Sequence, residues 1–239
     1  MMRRFFVPFS NKPPGRFSFD REETRHIQKV LRLTVGDEIH VFDGEGDEFR
    51  CVLEEFANRQ AFGRILKQVE PKTPESTLEL HLGISLIKGD KFDLVIQKSV
   101  ELGVASLTPF VTRRSEVKVK NVVRKLDRWR KIIIEASKQC GRARLMQISE
   151  PDEFESFIKG ADGSKVMFSE RNGESFSSVD SGKIITALIG PEGGWDHSEI
   201  ELARKNGFQI VTLGGGILRA ETAAISITAI LQNRFGDLK

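Results

Sequence analysis

Tyrosine is absent from this 239-residue chain, and only two cysteines, Cys51 and Cys140, are present. Two thiols 89 positions apart form neither a disulfide framework nor a paired metal-ligand spacing. The four histidines, His26, His40, His81 and His197, are scattered and do not have ligand spacing either, so no metal is expected. No apolar run approaches the ~18–20 residues that a membrane-spanning helix needs. The opening Met-Met-Arg-Arg-Phe-Phe-Val-Pro turns polar too early for a secretory signal. These absences lead to the expectation of a cytoplasmic protein with no membrane partner. Hydrophobic residues at 39% and charged residues at 30% suit a packed globular chain and exclude disorder.

Charge is present in blocks. Residues 1–34 carry eight Lys/Arg against three acids, a local +5, and residues 35–70 carry four against nine, a local −5. Residues 113–144 carry twelve Lys/Arg against Glu116, Asp127 and Glu135, a local +9. Seven of those twelve are arginines, which suit bidentate phosphate contacts. Neutralising phosphates releases condensed counterions, so such a segment is a candidate RNA surface, although a solvated helix face has the same composition.

Pro71-Lys-Thr-Pro74 resists helix and sheet alike and divides the chain into 1–70 and 75–239. In the first part, Glu38–Phe42 and Phe49–Leu53 read as strands joined through Asp43-Gly-Glu-Gly46, with Gln60–Lys67 a third. A helix over about Glu22–Leu31, capped by Asp20, is expected to place Ile27, Val30 and Leu31 on one face. The assembly expected is a small β-barrel with one helix. In the second part, strands at Leu78–Leu86, Leu107–Val111, Val166–Phe168, Ile184–Ile189 and Phe208–Leu213 are interspersed with helices. The helices are expected at Phe92–Leu102, Val122–Lys138, His197–Asn206 and Glu221–Asn233. Such alternation implies an α/β parallel sheet covered on both faces.

Ligands of open parallel sheets bind beyond the carboxyl ends of the strands. Two glycine-rich loops occupy that position, Ile189-Gly-Pro-Glu-Gly-Gly-Trp195 and Leu213-Gly-Gly-Gly-Ile-Leu-Arg-Ala-Glu-Thr222. Each alone reads equally as a tight strand-to-helix turn; two in successive crossovers can converge on one pocket. Gly214-x-Gly216 lacks the third glycine of a dinucleotide fingerprint, and no G-x-x-x-x-G-K-[ST] occurs. The expected ligand is therefore a cofactor gripped by backbone rather than through a triphosphate.

The two loops together, with Leu213–Ala224 read as a whole, resemble the RsmE family, the 16S rRNA (uracil-N3)-methyltransferases of the SPOUT class. Arg3-Arg-Phe-Phe-Val7, His26-Ile-Gln-Lys-Val-Leu-Arg32 and Val35-Gly-Asp-Glu38 are similar to that family's PUA-like N-terminal domain. Lys98-Ser-Val-Glu-Leu-Gly-Val104 and Glu135-Ala-Ser-Lys-Gln-Cys-Gly-Arg142 are similar to its middle motifs. The resemblance implies a SPOUT-type parallel sheet with a trefoil knot, a homodimer, and S-adenosylmethionine as cofactor. It also implies a uridine of 16S rRNA in the small ribosomal subunit as substrate. The implied cofactor contacts are Leu188, Ile189, Gly190, Pro191, Glu192 and Gly193, then Leu213, Gly214, Gly215, Ile217, Leu218, Ala220, Thr222 and Ala223. Where the family pattern places a bulkier pair with a basic residue, this chain has Gly215-Gly216.

The methyl donor is already activated, so the protein must chiefly hold it in line with uracil N3. Uracil N3 is protonated at neutral pH, so a base or an anion-stabilising group should assist. Arg219 is the candidate for charge stabilisation, and Glu221 for a base or a helix-start residue. Cys140 is expected to be a small helical thiol without a covalent role. The candidate RNA contacts are Arg3, Arg4, Arg25, Arg32, Arg124, Arg128 and Arg142. The alternatives are another SPOUT RNA methyltransferase, acting on a ribose 2′-oxygen or another site, and a non-catalytic RNA-binding assembly factor.

Overall fold

Apolar residues on alternate positions make half-buried strands, and three such runs between Glu38 and Val69 build the first sheet. The computed structural model describes residues 3–9, 15–115, 117, 125–171, 173–179 and 182–239. It divides into two compact units, residues 1–75 with 137–145, and residues 76–136 with 146–239.

The first unit holds a five-stranded sheet of β1 (Arg4–Phe6), β2 (Arg16–Ser18), β3 (Glu38–Phe42), β4 (Glu48–Ala57) and β5 (Gln60–Val69), in the order β1-β3-β4-β5-β2. The β3–β4 turn is closed by Asp43, whose Oδ1 accepts from the backbone N–H groups of Glu45, Gly46 and Asp47. Phenylalanines dominate the core: Phe5–Phe19 and Phe17–Phe19 meet edge-on with centroids 5.4 Å apart. Phenylalanine carries no hydroxyl that would need a buried partner, so its preference over tyrosine suits this packing. Gly63 makes room for it, since a Cβ there would lie 2.6 Å from the Phe17 ring. Burial pushes the Cys51 thiol up to about 12, so it is inert packing.

The expected first helix begins as foreseen, with Asp20 accepting from the Glu23 N–H at 2.7 Å, but α1 covers only Arg21–Arg25. A π-helical turn, His26–Val30, follows it, and Leu31 N–H donates to His26 O. The wider turn breaks the i, i+3, i+4 register. Ile27 is buried, whereas Val30, expected on the same face, is 67% exposed.

Residues 137–145 pack within this first unit, although they begin 62 positions beyond residue 75. Arg4 holds them: its guanidinium donates to Ser137 O at 2.7 Å, Lys138 O at 3.3 Å and Arg142 O at 3.2 Å. It also pairs with Glu48 at 2.8 Å, a carboxylate that is 1% exposed and accepts from His40 Nδ1 at 2.6 Å. Arg142 pairs with Glu75 at 2.6 Å, Lys138 with Glu23 at 2.7 Å, and Leu145 N–H donates to Gly44 O.

The second unit holds one wholly parallel sheet of β6 (Glu79–Ser85), β7 (Ser106–Val111), β8 (Gln147–Ile148), β9 (Asp152–Glu153), β10 (Ser164–Phe168), β11 (Glu174–Ser175), β12 (Ile184–Ile189) and β13 (Gln209–Thr212). The order is β11-β13-β10-β12-β6-β7-β8, with β9 beside β7. The central β6 and β12 are near-continuous apolar runs, as burial on both faces requires. The helices are α2 (Lys91–Glu101), α3 (Leu126–Cys140), α4 (Phe154–Gly160), α5 (His197–Lys205) and α6 (Ala220–Phe235). The first positions of the expected Val122–Lys138 helix lie outside the described residues. No described helix is long and apolar enough to cross a membrane.

Truncating Arg4 to alanine takes the guanidinium from the buried Glu48, which keeps His40, and one donor from each of three carbonyls, and should remove about 3–5 kcal/mol. R4A/E48L, which leaves no buried carboxylate, should recover part of that loss. Urea denaturation followed by circular dichroism measures both.

Candidate functional site

Because every strand of the second sheet runs the same way, the ends at Phe168, Ile189 and Thr212 open onto one edge. The loop after β12 is folded by a turn in which Gly194 N–H donates to Pro191 O at 3.0 Å. Trp195 anchors it. Its indole Nε1 donates to Phe168 O at 2.8 Å, and its ring lies against Phe110 and Phe154 with centroids 6.1 and 5.4 Å away. Gly190 passes directly beneath, where a Cβ would sit 2.9 Å from the indole. The helix after this loop starts on a capping box: Asp196 accepts from Ser198 N–H at 3.1 Å, and Glu199 accepts from Asp196 N–H at 2.9 Å. The Asp196 carboxyl is held below its ordinary range by the Ser198 hydroxyl first, then by the Ser198 N–H and the nearby arginines.

The loop after β13 turns through Gly214 and Gly215 at φ +80° and +78°, a region favouring glycine. Nothing lies within 4 Å of where their side chains would be, so the backbone faces open space. Between the loops lies a cleft of about 290 Å³.

Eleven of the expected cofactor residues line it: Ile189, Gly190, Pro191, Glu192, Leu213, Gly214, Gly215, Ile217, Leu218, Ala220 and Ala223. Leu188 is buried within β12, and Gly193 and Thr222 are not on the wall. Phe168, Ser169, Glu170, Thr212 and Ile227 line it without having been expected there, and Gly194, Trp195 and Gly216 of the two loops line it as well. Phe168 ends β10 and Ser169 and Glu170 follow it, and the pairing of β10 with β12 and β13 brings them there. Ile227 lies one turn beyond Ala223, a helical spacing visible in the sequence.

Arg219 is exposed at the rim, at the N-cap position of α6. Glu221 does not line the cleft, and has Oε1 3.2 Å from Lys91 Nζ and Oε2 buried without a partner among the described residues. Burial pushes its carboxyl up, but its own N–H, the Lys91 ammonium and Arg219 together hold it below the ordinary range.

The arginines expected to meet RNA are not equivalent. Arg3, Arg25 and Arg32 are exposed. Arg128 is 61% exposed but sits 2.5 Å from Asp93 and 3.4 Å from Asp90. Arg4 and Arg142 are buried in the ion pairs described above, because the returning segment needs those cations, so neither presents its charge to a ligand. Arg124 lies outside the described residues. Cys140 is half-buried near the end of α3, and among the described residues no group of His, Cys, Asp and Glu could hold a metal.

The sequence pattern of the RNA methyltransferase domain matches residues 74–232, and that of the RNA methyltransferase PUA domain matches residues 19–66. The protein named ribosomal RNA small subunit methyltransferase E of Buchnera aphidicola subsp. Acyrthosiphon pisum is 32% identical over 94% of this chain and 91% of its own. The chain belongs to the ribosomal RNA small subunit methyltransferase E family. Its Bacillus subtilis relative of the same name is 30% identical over 94% of the chain and 93% of its own. Among solved structures, this family member matches a Neisseria gonorrhoeae ribosomal RNA small subunit methyltransferase E bound to S-adenosyl methionine, with TM-score 0.92, 30% identity and complete coverage of both chains. A Legionella pneumophila methyltransferase in complex with the same cofactor matches over both full chains, with TM-score 0.91 and 32% identity.

Adding one methyl at Gly190 should displace the Trp195 indole and break its bond to Phe168 O. G190A is expected to lose about 1–3 kcal/mol, the usual range for overpacking. Tryptophan emission and the thermal midpoint should shift together.

Proposed function

We propose that the chain binds S-adenosylmethionine in the cleft and methylates N3 of one uridine of 16S rRNA in the small ribosomal subunit. The observation that carries this reading is the cleft itself. Its floor is open glycine backbone, which admits a flat base, and its walls are apolar at Ile189, Pro191, Leu218 and Ile227. Glu170 and Glu192 stand on the same wall and suit the positive charge and the hydroxyls of such a cofactor. The relatives' names and the cofactor bound in two solved relatives support the same reading. When bound, S-adenosylmethionine supplies an electrophilic methyl group.

The remaining work falls to this chain's residues. The two loops hold the donor and exclude water, and Arg219 at the rim faces the negative charge that uracil develops as N3 gives up its proton. Glu221 is assigned a positioning role. A carboxylate held below its ordinary range is a poor acceptor for a proton bound as tightly as that of N3. Its ionised form instead pairs with Lys91 and places a negative charge near Arg219. The exposed Arg3, Arg25 and Arg32, with Arg128, position RNA without doing chemistry. The resemblance extends the proposal to a trefoil-knotted loop region, a homodimer and work in the cytoplasm.

Single-turnover methylation of small-subunit RNA, with nucleosides identified by mass spectrometry, is the test. The expected product is 3-methyluridine; 5-methyluridine or a 2′-O-methyl nucleoside would overturn the assignment. R219A should lose on the order of 100–1000-fold in turnover. E221Q should lose activity by the same factor at every pH, whereas a deficit that shrinks as pH rises would make Glu221 the proton acceptor.

A further inference from the structure

The turn after β7, Thr112–Ser115, is fastened more firmly than a surface turn requires. Ser115 Oγ accepts from Thr112 N–H at 2.9 Å and lies 2.8 Å from both Thr112 Oγ1 and the fully buried Ser85 Oγ. From the other side, the buried Glu199 accepts from Arg113 N–H at 2.8 Å while accepting from Asp196 N–H. One carboxylate therefore ties this turn to the end of the 190–195 loop.

The turn carries two arginines whose side chains are 68% and 50% exposed. Arg114 Nη1 donates to Gly193 O at 3.2 Å, which fixes its direction. Among the described residues, the carboxylate paired with either is that of Asp196, 3.8 Å from Arg113 and 3.6 Å from Arg114, beyond good hydrogen-bond distance. That carboxylate is already engaged by the Ser198 N–H and hydroxyl. Two guanidinium groups thus share one committed anion, leaving an excess of positive charge on a rigid mount.

We propose that Arg113 and Arg114 form a phosphate site for the RNA substrate, at the outer side of the loop that walls the cleft. Neither arginine lines the cleft, and neither does Gly193, which Arg114 touches. A ligand seated on them is therefore outside the cofactor's space but within a few residues of its wall. A polymer with regularly spaced anions, one nucleotide of which enters the cleft, meets both conditions. Guanidinium groups fit its phosphodiesters by paired N–H donation. Fixing one phosphate to a turn tied to the donor loop sets the register of the strand against the cleft, a positioning contact that carries no base information.

The inference rests on the proposed rRNA methyltransferase activity, and the test separates the two. Binding of a small-subunit rRNA fragment is measured by fluorescence anisotropy over a series of salt concentrations for wild type, R113A, R113A/R114A and R113K/R114K. For single-stranded RNA each lost phosphate contact lowers the log–log salt slope by about 0.7. The double alanine variant should lose roughly twice that, the lysine variant should keep the wild-type slope, and S-adenosylmethionine affinity by calorimetry should be retained. R113A alone keeps the test valid if the double variant unfolds, because among the described residues its guanidinium makes only the 3.8 Å approach to Asp196. Unchanged slopes in the alanine variants with a wild type that binds RNA would overturn this site alone. Lost cofactor affinity with unchanged RNA slopes would assign the pair to the cofactor and likewise overturn it. Failure of the wild type to bind or methylate rRNA would instead overturn the proposed function.

Discussion

Parallel pairing of β10, β12 and β6 is the constraint on which the site depends. A parallel ladder sends each chain back along the outside of the sheet before the next strand, so every connection of one kind emerges at one edge. Glycine loops separated in sequence by some twenty residues therefore face each other across a cleft. The loop after β10 joins them because β10 lies between β12 and β13. The Trp195 indole then fixes the arrangement by bonding the end of one strand from the loop of its neighbour, with an aromatic cluster beneath it. The polar end of that ring satisfies a strand-end carbonyl while its body fills the core, a combination only tryptophan supplies at this size.

Much of this organisation was legible in the sequence, and the exceptions have physical reasons. Long apolar strands and capped helices announce themselves through period and punctuation, as at Ile184–Ile189 or at the Asp196–Glu199 box. The two-residue strands β8, β9 and β11 are too short to show a period and exist only because a neighbour offers a ladder. The π-helical turn at His26–Val30 left no mark in composition, since it is the geometry of one wide turn that swings Val30 to solvent. Arginine count was a poor guide to arginine role. Arg4 and Arg142 look like any basic residues of a charged segment, yet they are spent on Glu48 and Glu75 inside the first unit. Which charges are internal depends on contacts between positions far apart in the chain.

The site shows the same division. The two glycine loops could be read directly, because glycine at a strand-to-helix junction is a local signal. The contribution of Phe168, Ser169 and Glu170 depended on strand order, which no local pattern specifies. Glu221 is the intermediate case. Its position at the start of α6 was visible, but its pairing with Lys91 of α2 was not, and that pairing helps hold the carboxyl below its ordinary range against the effect of burial.

The return of residues 137–145 to the first unit has a consequence for synthesis. Chains emerge from the ribosome at about 5–20 residues per second, and leading domains ordinarily fold as they appear. Here the leading unit stays incomplete until residue 145 is available, roughly 4–14 s after residue 75 at that pace. Through that interval Arg4 lacks the carbonyls it will bind, and Glu23 and Glu75 lack their cations. The unit built on the first sheet thus waits for a segment from the middle of the chain, and its closure reports that the chain has been translated well into the second unit.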